Sequence, residues 1–110
     1  GGPIRHLLAP LAEAGVDGIE GIAGPPQGDL TLAQARDIAG PELTLWGGIP
    51  QDFLPGARKR GQFEASVAQA AREASGDNRV ILGVADRVPV DAELSRLEAI
   101  PSLIERALQG

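Results

Sequence analysis

Residues Arg79-Val80-Ile81-Leu82-Gly83-Val84-Ala85 form an almost uninterrupted apolar run, and the fold class follows from this run and its flanks. Such runs are typical of parallel strands that are buried on both faces of a sheet. A helical pattern that ends at Gly76 comes before the run, and another that Asp91 can cap comes after it. Strands that alternate with helices predict an α/β fold with right-handed parallel crossovers.

The same alternation extends upstream, so that the whole chain has the predicted order α-β-α-β-α-β-α. Thr31 and Gln34 form a capping-box pattern at the start of the second helix, with Asp29 as a rival N-cap. Pro101 is acceptable as the first residue of a second segment in the last helical stretch. The predicted helices cover residues 3–14, 31–39, 63–74 and 91–108, and the predicted strands cover 16–22, 42–46 and 79–85.

Composition limits the class of protein and its partners. The chain has 110 residues, which is one small domain or part of one, and it contains no Cys, which suits a cytoplasmic protein. Its net charge is −5, it has three aromatic residues, and no apolar run approaches the roughly 20 residues of a membrane span. We therefore predict neither a nucleic-acid partner nor a membrane partner.

Three parallel strands alone would leave apolar strands at both edges of a sheet, with unpaired backbone groups. Complete proteins usually cover such edges, so closure with further strands upstream is the expected arrangement. The chain also opens on Gly1 instead of Met, which indicates that it was cut from a longer protein.

Four segments then resemble the uroporphyrinogen decarboxylase-like family, in the order expected for that family. They are residues 11–20 (LAEAGVDGIE), 28–36 (GDLTLAQAR), 45–49 (LWGGI) and 81–89 (ILGVADRVP). The resemblance covers nearly the whole chain. It implies that residues 1–110 are the C-terminal part of an enzyme domain, namely the last three βα units of a (β/α)₈ TIM barrel.

The family includes two branches with different chemistry. Decarboxylases remove carboxylates from tetrapyrroles without a cofactor, whereas the methyltransferases use zinc and a corrinoid protein partner to methylate thiols. This chain departs from both branches, because it has no Cys for zinc and because Val84-Ala85 replace the His-Gly pair of the decarboxylases. The resemblance therefore leaves the reaction and the cofactor open, and we assign no metal ligand.

Chemistry in such barrels lies at the carboxyl ends of the strands, which makes Glu20 and Asp86 the candidate catalytic residues. Glu20 would donate a proton or orient a ligand, or it is only a solvated strand end. Asp86 would act as a general acid or metal ligand, or as half of a structural ion pair. Arg87 would hold a substrate carboxylate, or it has an intramolecular partner.

Three further residues are candidates for substrate binding: Trp46, Gly47 and Gly48. A Trp beside two glycines can line a pocket that a ligand approaches closely, although such a Trp is more often part of the core. The basic residues 58–60 are usually solvated, and His6 lies away from the strand ends and is predicted to be a surface or packing residue.

Two alternative functions use the same features. One is an unrelated barrel enzyme that binds a phosphorylated substrate through the backbone at Gly47, Gly48 and Gly83. The other is a non-catalytic assembly module whose strand edges pair with another chain. The partners that these interpretations allow are the missing N-terminal part of the barrel, a second copy in a homodimer, and a small-molecule substrate.

Overall fold

The structure, a computed structural model, describes residues 4–25 and 27–109. Their elements follow the predicted order along the chain. They are α1 (Arg5–Glu13), β1 (Gly18–Ile22), α2 (Leu32–Ala39), β2 (Thr44–Ile49), a 3₁₀ turn (Gln51–Phe53), α3 (Arg60–Ala74), β3 (Val80–Val84) and α4 (Leu94–Gln109). The strands are parallel, which confirms the α/β class.

The start of α2 follows the local sequence. Thr31 Oγ1 accepts a hydrogen bond from the backbone N–H of Gln34, and the backbone N–H of Thr31 donates to Gln34 Oε1 over 3.0 Å, so the capping box is confirmed. Asp29, the rival N-cap, caps a different helix. Its carboxylate accepts from the backbone N–H groups of Ile4 (3.0 Å) and Arg5 (3.3 Å) at the start of α1.

The three strands form one sheet in the order β1-β2-β3, and one layer of helices packs against it. Right-handed crossovers that advance in one direction place their helices on one face of a sheet. The core lies on that face and joins strand residues such as Leu45 and Ile49 to helix residues such as Phe63 and Val67. The helical periodicity predicted for residues 63–74 is confirmed by the burial of Phe63, Val67, Ala70 and Ala71.

The prediction of a TIM-barrel portion is wrong for this chain. The sheet is open, and within the part of the chain that the structure describes, β1 and β3 pair only with β2. A closed barrel requires every strand to have two neighbours, with tilt and stagger shared around the ring. What the structure contains is three parallel strands and four α-helices in two layers.

The prediction that β3 is buried on both faces is also wrong. Val80, Leu82 and Val84 pack against the core, whereas Ile81 points to the opposite face and is 49% exposed. Its neighbour in register on β2 is Trp46, which is 48% exposed. A continuous apolar run does not distinguish one covered face from two, since only the tertiary structure shows what lies above the sheet.

Strand β2 runs through the two glycines at which the sequence predicts its end. Its pairing with β1 contains an irregularity between Glu20 and Ile22, which brings Ile22 opposite Gly47. A Cβ on Gly47 would lie 2.6 Å from the carbonyl oxygen of Ile22, and the φ of Gly47 is +134°. Glycine is required here by the close approach of β1, which lets the strand continue where a side chain would clash.

The last helix is continuous. Helix α4 extends from Leu94 to Gln109 with Pro101 inside it, instead of starting again at that proline. None of the helices in the described ranges is sufficiently long and apolar to cross a lipid bilayer.

Candidate functional site

Glu20 and Asp86, the two predicted catalytic residues, meet at the carboxyl end of the sheet. Glu20 lies in β1, and its Oε2 accepts a hydrogen bond of 2.8 Å from the backbone N–H of Asp86, which follows β3. Asp86 has a φ of +64°, in the left-handed region that non-glycine residues rarely adopt. Such a backbone costs on the order of 1 kcal/mol and is often found at functional sites.

Gln27 links this pair to the loop after β2. Its Nε2 donates to Asp86 Oδ2 over 2.8 Å and more weakly to the carbonyl oxygen of Ala85 over 3.4 Å. Its Oε1 accepts from the backbone N–H of Gln51 over 2.7 Å. Sequence reasoning did not select Gln27, and the only signal was its position in the irregular loop after the first predicted strand.

Beside this cluster lies a cavity of about 540 Å³, within the usual range for ligand pockets. It is formed by the loops that follow β2 and β3, and Arg58 and Arg87 both line it. Its other lining residues are Gln51, Asp52, Pro55, Ala57, Val88, Pro89, Val90 and Asp91. We call this space the arginine-lined cavity.

The two arginines of the cavity retain most of their hydrogen-bonding capacity. Among the residues that the structure describes, neither guanidinium makes a hydrogen bond or an ion pair, although that of Arg58 lies 5.9 Å from the centre of the Phe53 ring. A guanidinium has five N–H donors in a planar fork that matches a carboxylate. The cavity therefore presents two cationic groups suited to an anion, together with the carboxylates of Asp52 and Asp91.

Arg96 holds the cavity wall that is formed by the loop after β2. It lies in α4, is 3% exposed, and donates to the carbonyl oxygens of Phe53 (2.8 Å), Pro55 (3.1 Å) and Arg58. Its Nε is buried with no hydrogen-bond partner in the described residues, and the Glu93 carboxylate lies 3.9 Å away. Helical periodicity does not identify Arg96, because a buried arginine looks like a surface residue in an amphipathic pattern.

The predicted substrate-binding residues of β2 lie elsewhere. Trp46 is beside Glu20 in register, on the sheet face without helices. A Cβ on Gly48 would lie 2.7 Å from Cδ1 of Leu32. The protein itself therefore occupies the space that these glycines leave open, and ligand binding by Trp46, Gly47 and Gly48 stays a prediction.

The basic residues 58–60 have separate environments. Arg58 lines the cavity, Lys59 is exposed at the N-cap of α3, and Arg60 forms an exposed ion pair of 3.4 Å with Glu64 in the next helical turn. His6 is exposed on α1, in agreement with its predicted surface position.

A second cavity, of about 400 Å³, lies between α2 and α3. Its one charged side chain, Glu73, already accepts from the backbone N–H of Ala33 (2.7 Å) and from Gln69 Nε2 (2.8 Å). Because no cationic residue in the described part of the chain lines this cavity and its one carboxylate already accepts a hydrogen bond at each oxygen, it is less suited to an anion than the arginine-lined cavity is.

Comparisons with known proteins identify no family for this chain. The chain matches none of the protein-family models, and a search of curated proteins gives no match either. Within residues 4–25 and 27–109, no three side chains of His, Asp or Glu come together as a metal site would require. The uroporphyrinogen decarboxylase-like assignment therefore stays a prediction from the sequence motifs.

Proposed function

We propose that this chain is part of an enzyme that acts on a small carboxylated molecule bound in the arginine-lined cavity. The observation that carries the proposal is that Arg58 and Arg87 line one cavity, with no hydrogen bond or ion pair from either guanidinium to the described residues. Arginine and carboxylate form paired, charge-assisted hydrogen bonds, which orient a substrate as well as hold it.

The Glu20 carboxyl would then donate the proton, whereas the hydrogen bonds to the Asp86 carboxylate hold its pKa below the ordinary value and keep it ionised beside Glu20. Asp86 precedes Arg87 directly, and Glu20 contacts the backbone of Asp86. In a decarboxylation, the bond to the substrate carboxylate breaks, CO₂ leaves, and the electron pair stays on the carbon. A protonated carboxyl group beside that carbon supplies the proton that replaces CO₂.

The resemblance to uroporphyrinogen decarboxylase-like proteins favours this reaction over the alternatives. Tetrapyrrole substrates of that family carry several carboxylates, which two guanidinium groups in one cavity suit, and the reaction of that family requires no cofactor. A cytoplasmic location belongs to the same proposal. Corrinoid-linked methyl transfer with zinc stays a prediction that no observation in the structure favours.

Binding of a tricarboxylate tests the proposal. We expect propane-1,2,3-tricarboxylate to shift the backbone amide NMR signals of the non-proline residues in 51–58 and 87–91, and inorganic phosphate to bind more weakly. Arg87→Gln should lower the affinity about ten-fold, since one charge-assisted pair is lost. Lys59→Gln removes a charge from the same loop outside the cavity and should leave the affinity unchanged.

Two results would count against the proposal. One is tricarboxylate binding that Lys59→Gln weakens as much as Arg87→Gln does, because the attraction would then be general to the surface. The other is preferential binding of phosphate, which would support the phosphorylated-substrate hypothesis instead.

A further inference from the structure

We propose that Gln27 is a positioning residue that holds the loops after all three strands together and so fixes Asp86 next to the arginine-lined cavity. The inference rests on the proposed function of that cavity. Gln27 itself belongs to the loop after β1, its Oε1 binds the loop after β2 at Gln51, and its Nε2 binds the loop after β3 at Asp86 and Ala85.

The chemistry of a side-chain amide explains why glutamine suits this place. An amide has one acceptor oxygen and a nitrogen with two donor hydrogens in a single plane. Here the oxygen is used by a backbone N–H group, and the nitrogen is used by a carboxylate and a carbonyl oxygen. A carboxylate at position 27 would keep the acceptor but lose both donors.

The position of Asp86 depends on such support, because its backbone is strained. With φ at +64°, Asp86 lies in the left-handed region, which Asp tolerates better than most non-glycine residues but still at a cost that contacts with its surroundings offset. Glu20 holds the backbone N–H of Asp86, and Gln27 holds its carboxylate. The direction of the Asp86 carboxylate is therefore set in part by Gln27.

Gln27 acts on the cavity through its neighbours. It is not among the cavity-lining residues, whereas Gln51 and Arg87 are. Gln27 holds the backbone of Gln51 directly, and it holds Arg87 through the preceding residue, Asp86. Loss of the bridge should therefore loosen two walls of the cavity without removing any group that contacts a ligand.

Two substitutions at position 27 separate the donor from the acceptor. Gln27→Leu removes both functions, and Gln27→Glu keeps only the acceptor. The readouts are the pKa of the Asp86 carboxyl by NMR of its carboxyl carbon, the hydrogen exchange of the Gln51 amide, and the affinity for propane-1,2,3-tricarboxylate. Gln62→Leu is the matched control, since Gln62 is an exposed glutamine on α3 outside the bridge.

We expect Gln27→Leu to raise the pKa of Asp86 and to speed hydrogen exchange at the Gln51 amide. It should also weaken tricarboxylate binding about five-fold, which corresponds to the net contribution of one hydrogen bond. Gln27→Glu should restore slow exchange at Gln51 but neither the pKa nor the affinity. Unchanged pKa of Asp86 in both variants would overturn the proposal, as would full affinity in Gln27→Glu. If the unsubstituted protein binds no tricarboxylate, the proposed function fails, while the pKa and exchange readouts still decide whether Gln27 holds the loops.

Discussion

Two polar networks lie at opposite ends of the same sheet, and they use arginine in opposite ways. At the amino end, Arg36 donates five hydrogen bonds. They go to both carboxylate oxygens of Asp77 and to the carbonyl oxygens of Gly40, Leu43 and Arg79, over 2.7 to 3.2 Å. At the carboxyl end, Arg58 and Arg87 face a cavity with no such bonds to the described residues.

The two ends of the sheet show what separates a structural arginine from one that is suited to a ligand. Cavity size does not separate them, because a space of about 640 Å³ also lies at the amino end, where Arg79 donates to the carbonyl oxygen of Glu42. What separates Arg36 from Arg58 and Arg87 is the remaining donor capacity, and Arg79 is intermediate, since one of its side-chain donors binds the carbonyl oxygen of Glu42. Arg36 has used all five donors of a guanidinium, so it can stabilise the loops before β2 and β3 but has none left for a substrate.

The largest expected effect is on stability, at the amino end. Arg36→Ala should lower the free energy of unfolding by about 3 kcal/mol, because Asp77 and three carbonyl oxygens lose a charged donor. Urea denaturation measures this loss. Arg72→Ala, at an exposed position on α3, is the control and should change stability by less than about 0.5 kcal/mol. If Arg36→Ala lowers the free energy of unfolding by less than about 1 kcal/mol, Arg36 is not a structural arginine in contrast to Arg58 and Arg87.

The cavity arginines should show the reverse behaviour. The double variant Arg58→Gln and Arg87→Gln should unfold within about 0.5 kcal/mol of the unsubstituted protein, because neither side chain holds a described neighbour by a hydrogen bond. Its affinity for propane-1,2,3-tricarboxylate should fall more than about ten-fold. Calorimetric titration and urea denaturation of the same samples measure the affinity and the free energy of unfolding. A large loss of stability would mean that Arg58 and Arg87 stabilise the fold, as Arg36 does.

The pH dependence of stability should report the amino-end network. The hydrogen bond from the Arg36 side chain lowers the pKa of Asp77 below its ordinary value. The contribution of Asp77 is therefore fully present above the pKa of about 3.9 in the unfolded chain, and it is lost as pH falls through the lower pKa of the folded state. We expect this stabilisation to fall progressively as the pH drops below about 4, from the pKa of the unfolded chain towards the lower pKa of the folded state.

Asp77→Asn tests that assignment, since it should flatten the pH profile of urea denaturation over the same range of pH. Asp37→Asn, at an exposed position on α2, should leave the profile unchanged. Equal profiles for Asp77→Asn and the unsubstituted protein would mean that the ion pair with Arg36 has no net effect on stability.

The smallest effect concerns Asp29, a carboxylate in the loop after β1 that has a structural role. The backbone N–H of Ile4 binds its carboxylate and lowers the pKa of Asp29. Asp29→Ala should speed hydrogen exchange of the Ile4 and Arg5 amides severalfold, because the first turn of α1 loses its cap. Exchange at the Gln51 amide should not change. Faster exchange at Gln51 would show that the cap and the Gln27 bridge are coupled.

The sequence predicted the two carboxylates of the candidate site but not the residues that support them. Glu20 and Asp86 follow from the rule that chemistry lies at the carboxyl ends of parallel strands. Gln27 and Arg96 do not follow from it, because their partners lie 24 to 59 residues away along the chain. Neither periodicity nor composition contains information on such distant pairs.

Local sequence patterns were sufficient to predict the order of the helices and strands, the capping box at Thr31 and the buried face of α3. These features depend on interactions within a few residues, which the local pattern specifies. Three features became visible only in the folded structure: the open sheet with one uncovered face, the continuation of β2 through Gly47, and the use of the Arg36 donors where those of Arg58 and Arg87 make no hydrogen bond to described residues. These features depend on contacts between segments that are distant along the chain, and an apolar run or a single arginine in the sequence is compatible with several different sets of such contacts.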